Sequence, residues 1–317
     1  MAGRLAVSAV DYHTGGEPFR IVSGGVGAIP GRTILEKRRH AQAHLDELRR
    51  LLVLEPRGHA DMYGCFVTEP EDADADLGVL FFHNAGFSTA CGHGTIALVT
   101  WALESGVLEA TEPETRVVVD VPSGRLETWA RIDRGDVVSV RFRNVPAFVH
   151  SPGVAFGGAF YASVEERVEP PELPRLIELG RRVKRELEAE REIVHPVEPE
   201  LRDVYGVIFW QEEGAGPPLV QRNVTVFADG EVDRSPCGSG TSARLALLAA
   251  EGRLRPGDEL VHRSIVGSEF RASVVRETEV AGIPAVVTEV EGSAHLTGYH
   301  QFVLEPEDEL GLGFLLR

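Results

Sequence analysis

Two stretches of this chain repeat one another. Cys91-Gly92-His93-Gly94-Thr95-Ile96-Ala97 and Cys237-Gly238-Ser239-Gly240-Thr241-Ser242-Ala243 both read C-G-x-G-T-x-A. Each leads through an apolar run to a glycine, Gly106 or Gly252, fifteen positions after its cysteine. The two cysteines are 146 residues apart in a chain of 317. A repeat of this kind marks a duplicated structural unit. It predicts an α/β (α+β) fold of two pseudo-symmetric domains, whose buried central helices bring their N-termini to one cleft.

The residue types within the repeat suggest its chemistry. A Cys-Gly-x-Gly-Thr turn that opens an Ala/Leu helix puts the thiol at the helix N-terminus. Free backbone N–H groups and the positive dipole end there favour a thiolate and bind an anion. The glycines let backbone approach a ligand closely. On this reading Cys91 and Cys237 have lowered pKa values and are reactive. Two opposed thiols above two sets of amides suit cofactor-free, two-base racemisation or epimerisation. The amides hold a carboxylate and stabilise its enolate-like charge, one thiolate removes the α-proton, and the opposite thiol delivers another. The third cysteine, Cys65, lies in the apolar run Tyr63-Gly64-Cys65-Phe66-Val67 and is expected in the core. Three cysteines without a Cys-x-x-Cys give neither a disulfide framework nor a zinc ribbon.

Charge narrows the partners. Lys plus Arg is 32 and Asp plus Glu is 49, a net charge of −17. Nucleic acid and anionic membranes need a basic patch, so neither is expected. No run approaches the roughly 18 apolar residues of a membrane span. Residues 1–10 lack a signal-peptide core and cleavage site, and a cytoplasmic location is expected. Cys91 and His93 supply two metal ligands, but no paired spacing completes a set, so no metal is expected. Gly92 to Thr95 lacks the Lys-Ser/Thr ending of a P-loop. A redox dithiol protein would also use two cysteines, joined reversibly as a disulfide.

Periodicity predicts helices over Thr33–Val53, Thr95–Leu103, Glu172–Glu192 and Thr241–Ala250. Strands are predicted over Leu5–Val10, Phe19–Val22, Ala60–Val67, Leu77–Phe82, Thr115–Val121, Glu127–Ile132, Val137–Phe142, Val204–Trp210 and Asn223–Phe227. The charged run Arg181 to Glu188 reads as a solvated helix face. His13, His59 and His83 lie in motif segments that could border the pocket, but a satisfied structural histidine is the more common outcome for such residues.

Five motifs, spread over nearly the whole chain, resemble the proline racemase family, which includes hydroxyproline 2-epimerases and trans-3-hydroxy-L-proline dehydratases. They are Asp11-Tyr12-His13-Thr14-Gly15-Gly16-Glu17-Pro18, Gly58-His59-Ala60-Asp61-Met62-Tyr63-Gly64, Cys91-Gly92-His93-Gly94-Thr95, Phe142-Arg143-Asn144-Val145-Pro146 and Asp233-Arg234-Ser235-Pro236-Cys237-Gly238-Ser239-Gly240-Thr241. The resemblance implies the diaminopimelate-epimerase-like fold, in which each domain is a curled β-sheet around a central helix. The first domain is then 1–145 plus 296–317 and the second 146–295. Cys91 and Cys237 are implied as the acid/base pair. Gly92, His93, Gly238 and Ser239 are implied around the substrate carboxylate, and Asp233 at the ring nitrogen. A homodimer needing neither pyridoxal phosphate nor metal is also implied.

Within the family, a cysteine in both motifs resembles the racemases and epimerases, and His93-Gly94 the hydroxyproline-acting members. Asp61-Met62-Tyr63-Gly64, His83-Asn84-Ala85-Gly86 and the Gly-Ser-Gly after Cys237 resemble the dehydratases. The expected function is inversion of the α-carbon of proline or, preferentially, 4-hydroxyproline. The alternatives are dehydration of trans-3-hydroxy-L-proline to pyrroline-2-carboxylate and a non-catalytic imino-acid-binding protein.

Overall fold

A computed structural model describes residues 5–214 and 216–316. The strands fall into two series. The first is β1 (Leu5–Thr14), β2 (Glu17–Gly24), β3 (Tyr63–Thr68), β4 (Leu77–His83), β5 (Gly86–Phe87), β6 (Glu114–Val121), β7 (Gly124–Asp133) and β8 (Asp136–Arg143). The second is β9 (Ala147–Ser151), β10 (Val154–Phe156), β11 (Phe160–Glu165), β12 (Val204–Gly214), β13 (Leu219–Phe227), β14 (Glu231–Asp233), β15 (Glu259–Ser264), β16 (Glu269–Val280) and β17 (Ile283–Gly292). A last strand, β18 (Ala294–Leu304), follows. The helices are α1 (Ile34–His44), α2 (Asp46–Val53), α3 (Gly92–Glu104), α4 (Leu173–Glu190) and α5 (Gly238–Ala250).

The same pairing order occurs in both series. An antiparallel pair (β1–β2; β10–β11) crosses by helix to a parallel neighbour (β2–β3 through α1 and α2; β11–β12 through α4). An antiparallel partner (β3–β4; β12–β13) turns back into a short strand (β5; β14) that leads into the central helix (α3; α5). Each helix returns to a parallel strand (β4–β6; β13–β15) and an antiparallel meander (β6–β7–β8; β15–β16–β17). The sequence repeat is therefore matched by a repeat in topology. β17 links the two series, pairing with β8 through Glu289–Gly292 and with β9 through Ala285 and Val286. β18 runs antiparallel to β1 from Leu304 opposite Leu5 to Ala294 opposite Thr14.

Both central helices are buried on nearly all sides, enclosed by the core. α3 is buried from Gly92 through Leu103 and packs against β1, β2, β3, β7, β8, β17 and β18. α5 is buried from Gly238 through Leu248 and packs against β9, β10, β11, β16 and β17. Each enclosed Ile, Leu or Val stabilises by roughly 1.5–3 kcal/mol. The closing glycines of the repeat have φ of +74° (Gly106) and +69° (Gly252). A left-handed residue just past a helix end ends it, and glycine adopts that conformation without a Cβ penalty.

Helix boundaries differ from the sequence reading in two ways. The single helix expected over 33–53 is two, broken at Leu45, with Thr33 and Glu36 forming a capping box at the first. α3 and α5 start at Gly92 and Gly238, three residues before the expected Thr95 and Thr241. Glycine has low helix propensity, but packing overrides it here. On α4, Arg181–Glu178 at 2.8 Å and Arg182–Glu186 at 3.9 Å show the charged run as a solvated face. Among the described residues no helix is long and apolar enough to cross a membrane.

Candidate active site

Each position of the C-G-x-G-T motif has a physical reason. Gly92 and Gly238 stand backbone to backbone where the helix tips meet. A Cβ on Gly92 would lie 2.5 Å from the Gly238 Cα and 2.9 Å from the Phe142 ring. One on Gly238 would lie 2.7 Å from the Gly92 Cα and 2.9 Å from the same ring. The second glycine leaves room for the sulfur: a Cβ on Gly94 would fall 2.7 Å from Cys91 Sγ, and one on Gly240 2.9 Å from Cys237 Sγ. The threonine ties down the turn. Thr95 N–H donates to the Cys91 carbonyl at 2.9 Å and Thr241 N–H to the Cys237 carbonyl at 2.8 Å. Their hydroxyls donate to the carbonyls of Cys91 and Pro236.

The two thiols are not equivalent. Cys91 has extended backbone (φ −155°), and its sulfur accepts the Gly94 N–H at 3.3 Å. Cys237 has φ +62° and ψ +101°, a conformation that L side chains rarely adopt. Such strain costs on the order of 1–3 kcal/mol and clusters at functional sites. The turn is held by Cys237 N–H donating to Ser235 Oγ at 3.1 Å and Ser235 N–H donating to Asp233 Oδ1 at 2.8 Å.

Both cysteines line one small pocket, together with Gly92, His93, Asp233 and Ser239. Gly238 is joined to this group through its contact with Gly92. The cavity holds about 10 Å³, room for about one water. His93 Nε2 is 3.4 Å from Cys91 Sγ, and His93 Nδ1 is 3.6 Å from Asp233 Oδ2. The His93 carbonyl accepts from Thr14 Oγ1 at 3.0 Å, which ties the first motif to the site. Glu17, from the same motif, accepts the Arg234 N–H at 2.8 Å and pairs with its guanidinium at 3.0 Å.

Electrostatics correct one expectation. Burial pushes the Cys91 thiol well above its ordinary value, and Asp233 and Cys237 add to the push against the opposing Gly94 N–H. Burial, then Asp233, pushes Cys237 up to about 12. A helix N-terminus contributes at most about 2 kcal/mol, whereas full burial shifts a group by up to about 3–5 pKa units. Burial wins in the closed site. Asp233 is itself held low: burial raises it, but His93 and Ser235 more than offset this.

Sequence reasoning missed the rest of the lining, which is Tyr63, Tyr161, Tyr205, Thr225, Phe227 and Ala90. Tyr63 stood in a recognised motif with no role. Tyr161 and Tyr205 sit on β11 and β12, outside every motif. The available signal was scarcity: the chain has five tyrosines, and three of them converge here.

Cys65 is fully buried in β3, as expected. His59 is exposed, and His13 is half-buried against His295. His83 lies buried behind the rings of Tyr63 and Tyr205, at 5.2 and 5.9 Å. Burial lowers both His83 and His262 to about 3 from an ordinary 6.5. The unfolded chain therefore takes up protons below 6.5 that these folded imidazoles refuse, so each costs up to about 1.4 kcal/mol of stability per pH unit as pH falls towards 3. Thermal unfolding midpoints are expected to drop below pH 6.5. His83→Gln is expected to make that drop shallower.

A family model described as proline racemase matches residues 9–315. The chain belongs to the proline racemase family. It is an enzyme of that family, and the fold and motifs agree with the resemblance read from the sequence. The chain is 45% identical to the trans-3-hydroxy-L-proline dehydratase of Bacillus thuringiensis subsp. konkukian, over 98% of both chains. It is 46% identical to the 3-hydroxyproline 2-epimerase of Burkholderia multivorans, again over 98% of both. Its structure is similar to that of a hydroxyproline epimerase from Agrobacterium vitis with bound trans-4-hydroxy-L-proline. That match has a TM-score of 0.91 and 35% identity, and covers 98% of this chain and 96% of the other.

Proposed function

We propose that this proline racemase family member inverts the α-carbon of a hydroxyproline, with Cys91 and Cys237 as the two acid/base groups. The observation that carries the reading is the meeting of two helix tips, each with a cysteine at its N-cap, at one small pocket. The two topological units are read as domains of 1–145 plus 294–317 and 146–293. This boundary is set at Ala294 in place of residue 296, because Ala294 and His295 already pair with β1.

The first-turn N–H groups of Gly92, His93, Gly238 and Ser239 are those that helix geometry leaves without intrahelical partners. They converge on the substrate carboxylate and stabilise the charge that builds on it as the α-proton departs. Asp233 pairs with the ring nitrogen. A cationic nitrogen there offsets the Asp233 charge, one of the causes that raise both thiols. Substrate binding thus eases formation of the thiolate that burial opposes. One thiolate takes the α-proton from one face and the other thiol protonates the opposite face.

The name of the Bacillus relative favours a second reading, dehydration of trans-3-hydroxy-L-proline. Here one thiolate suffices to take the α-proton, and the ring hydroxyl leaves. The test is incubation in D2O with L-proline, trans-4-hydroxy-L-proline and trans-3-hydroxy-L-proline, separating epimers from cyclic imine. An epimer carrying α-deuterium supports inversion, and imine from the 3-hydroxy compound supports dehydration. Tight binding with neither product would make the protein a binding module and overturn both.

A further inference from the structure

The two sulfurs are served by different partners. Cys91 caps its helix and accepts the Gly94 N–H at 3.3 Å. Cys237, with φ at +62°, makes no capping hydrogen bond of that geometry. As a thiol it donates to Tyr161 Oη at 3.9 Å, and Tyr161 Oη in turn lies 2.6 Å from Ser239 Oγ.

Thr225 stands on β13, opposite Asp233 of β14, and lines the pocket with Cys237. It is fully buried, and its Oγ1 has no hydrogen-bond partner. Gln221 and Asn223 on the same strand also carry unpartnered polar atoms, but of the three Thr225 alone lines the pocket. A buried hydroxyl left unpaired costs free energy, and valine would fill the same space without that cost. The hydroxyl is explained if it is used in another state of the site. Its hydrogen is free to turn about the C–O bond. A thiolate would give it a charged acceptor, and such hydrogen bonds are roughly twice as strong as neutral ones. Burial, then Asp233, push the Cys237 thiol up, and Thr225 is the strongest of the groups that oppose them, ahead of the Gly240 N–H.

We infer that the Thr225 hydroxyl prepares Cys237 to act as a base, by donating a hydrogen bond to the sulfur once the sulfur has lost its proton. This rests on the proposal that Cys237 is one of the two acid/base groups. Thr225 is then a positioning residue that acts through Cys237. It gives the second sulfur a donor in the role that the Gly94 N–H fills for the first.

The experiment records kcat/KM against pH for the wild type, Thr225→Val and Thr225→Ser, on whichever of trans-4-hydroxy-L-proline and trans-3-hydroxy-L-proline the wild type turns over faster. Asp233, Cys91, His93, Tyr63, Tyr161 and Tyr205 also face the pocket and are common to all three proteins. Burial raises the three phenols well above their ordinary value, and Asp233 is held low by His93 and Ser235 against burial. The two thiols titrate as a pair, and the valine variant removes a donor from Cys237 alone. Loss of that donor raises Cys237, so the profile of Thr225→Val should move to higher pH by about half to one unit, with a loss of about 10-fold near pH 7. Thr225→Ser should stay within about 3-fold of wild type, because serine keeps the hydroxyl. The substrate-free valine variant should melt no lower than wild type, since the hydroxyl it lacks has no partner there. Unchanged turnover in Thr225→Val, a loss without displacement of the profile, a serine variant as poor as the valine, or a lowered melting temperature in the valine variant would overturn the inference alone. Full turnover in Cys237→Ala, or a wild type inactive on both compounds, would overturn the proposed role of Cys237 and this inference with it.

Discussion

Cys91→Ala and Cys237→Ala are each expected to lower inversion of the α-carbon by about 10²–10⁴-fold, the usual contribution of a positioned proton-transfer group. Neither change should unfold the protein. Each removes one sulfur atom from a cavity already large enough for a water, and alanine keeps the backbone and Cβ in place. Thermal midpoints close to wild type would therefore accompany the loss. The two variants should fail by similar factors, because inversion in either direction needs both a base and an acid. A variant at one cysteine that kept near-wild-type inversion would leave only one thiol with a role. Under the dehydration reading the losses should differ: the variant lacking the α-proton base would fail, while the other would keep imine formation.

Gly92→Ala and Gly238→Ala are the second pair of large effects. The added methyl at either position falls less than 3 Å from backbone of the opposite motif and from the Phe142 ring. Backbone cannot rotate aside as a long side chain can, so the helix tips must separate. Overpacking of this kind typically costs about 1–3 kcal/mol. Activity should fall further than stability, because separated tips no longer aim two sets of amides at one carboxylate. The double variant should be strongly non-additive, since the first methyl already opens the contact the second would crowd. Thermal melts and turnover on the same preparations read both effects. Wild-type stability and turnover in Gly92→Ala would mean that the helix tips do not meet as described.

The parts of the site written in local sequence were legible. A cysteine followed by two spaced glycines and a threonine constrains a helix start so tightly that its recurrence gave both the duplication and the sulfur pair. The sequence did not show which direction burial would push those sulfurs. Helix-terminus reasoning concerns a few neighbouring residues, whereas burial is set by Phe19, Phe142 and strands remote in the chain. The tyrosines of the lining were hidden for a related reason. Tyr63 and Tyr205 are 142 positions apart and meet only where the two strand series come together. The break at Leu45 lay inside an apolar pattern that continues across it, so periodicity alone read one helix.

The central claim is that two sulfurs serve opposite faces of one substrate carbon, and early-time deuterium labelling in D2O tests it most directly. During the first few per cent of reaction, the inverted hydroxyproline should carry solvent deuterium at its α-carbon while recovered starting material still carries hydrogen. Inverted product that retains the substrate's own α-hydrogen would mean that a single group removes and returns the proton, contradicting the two-thiol account.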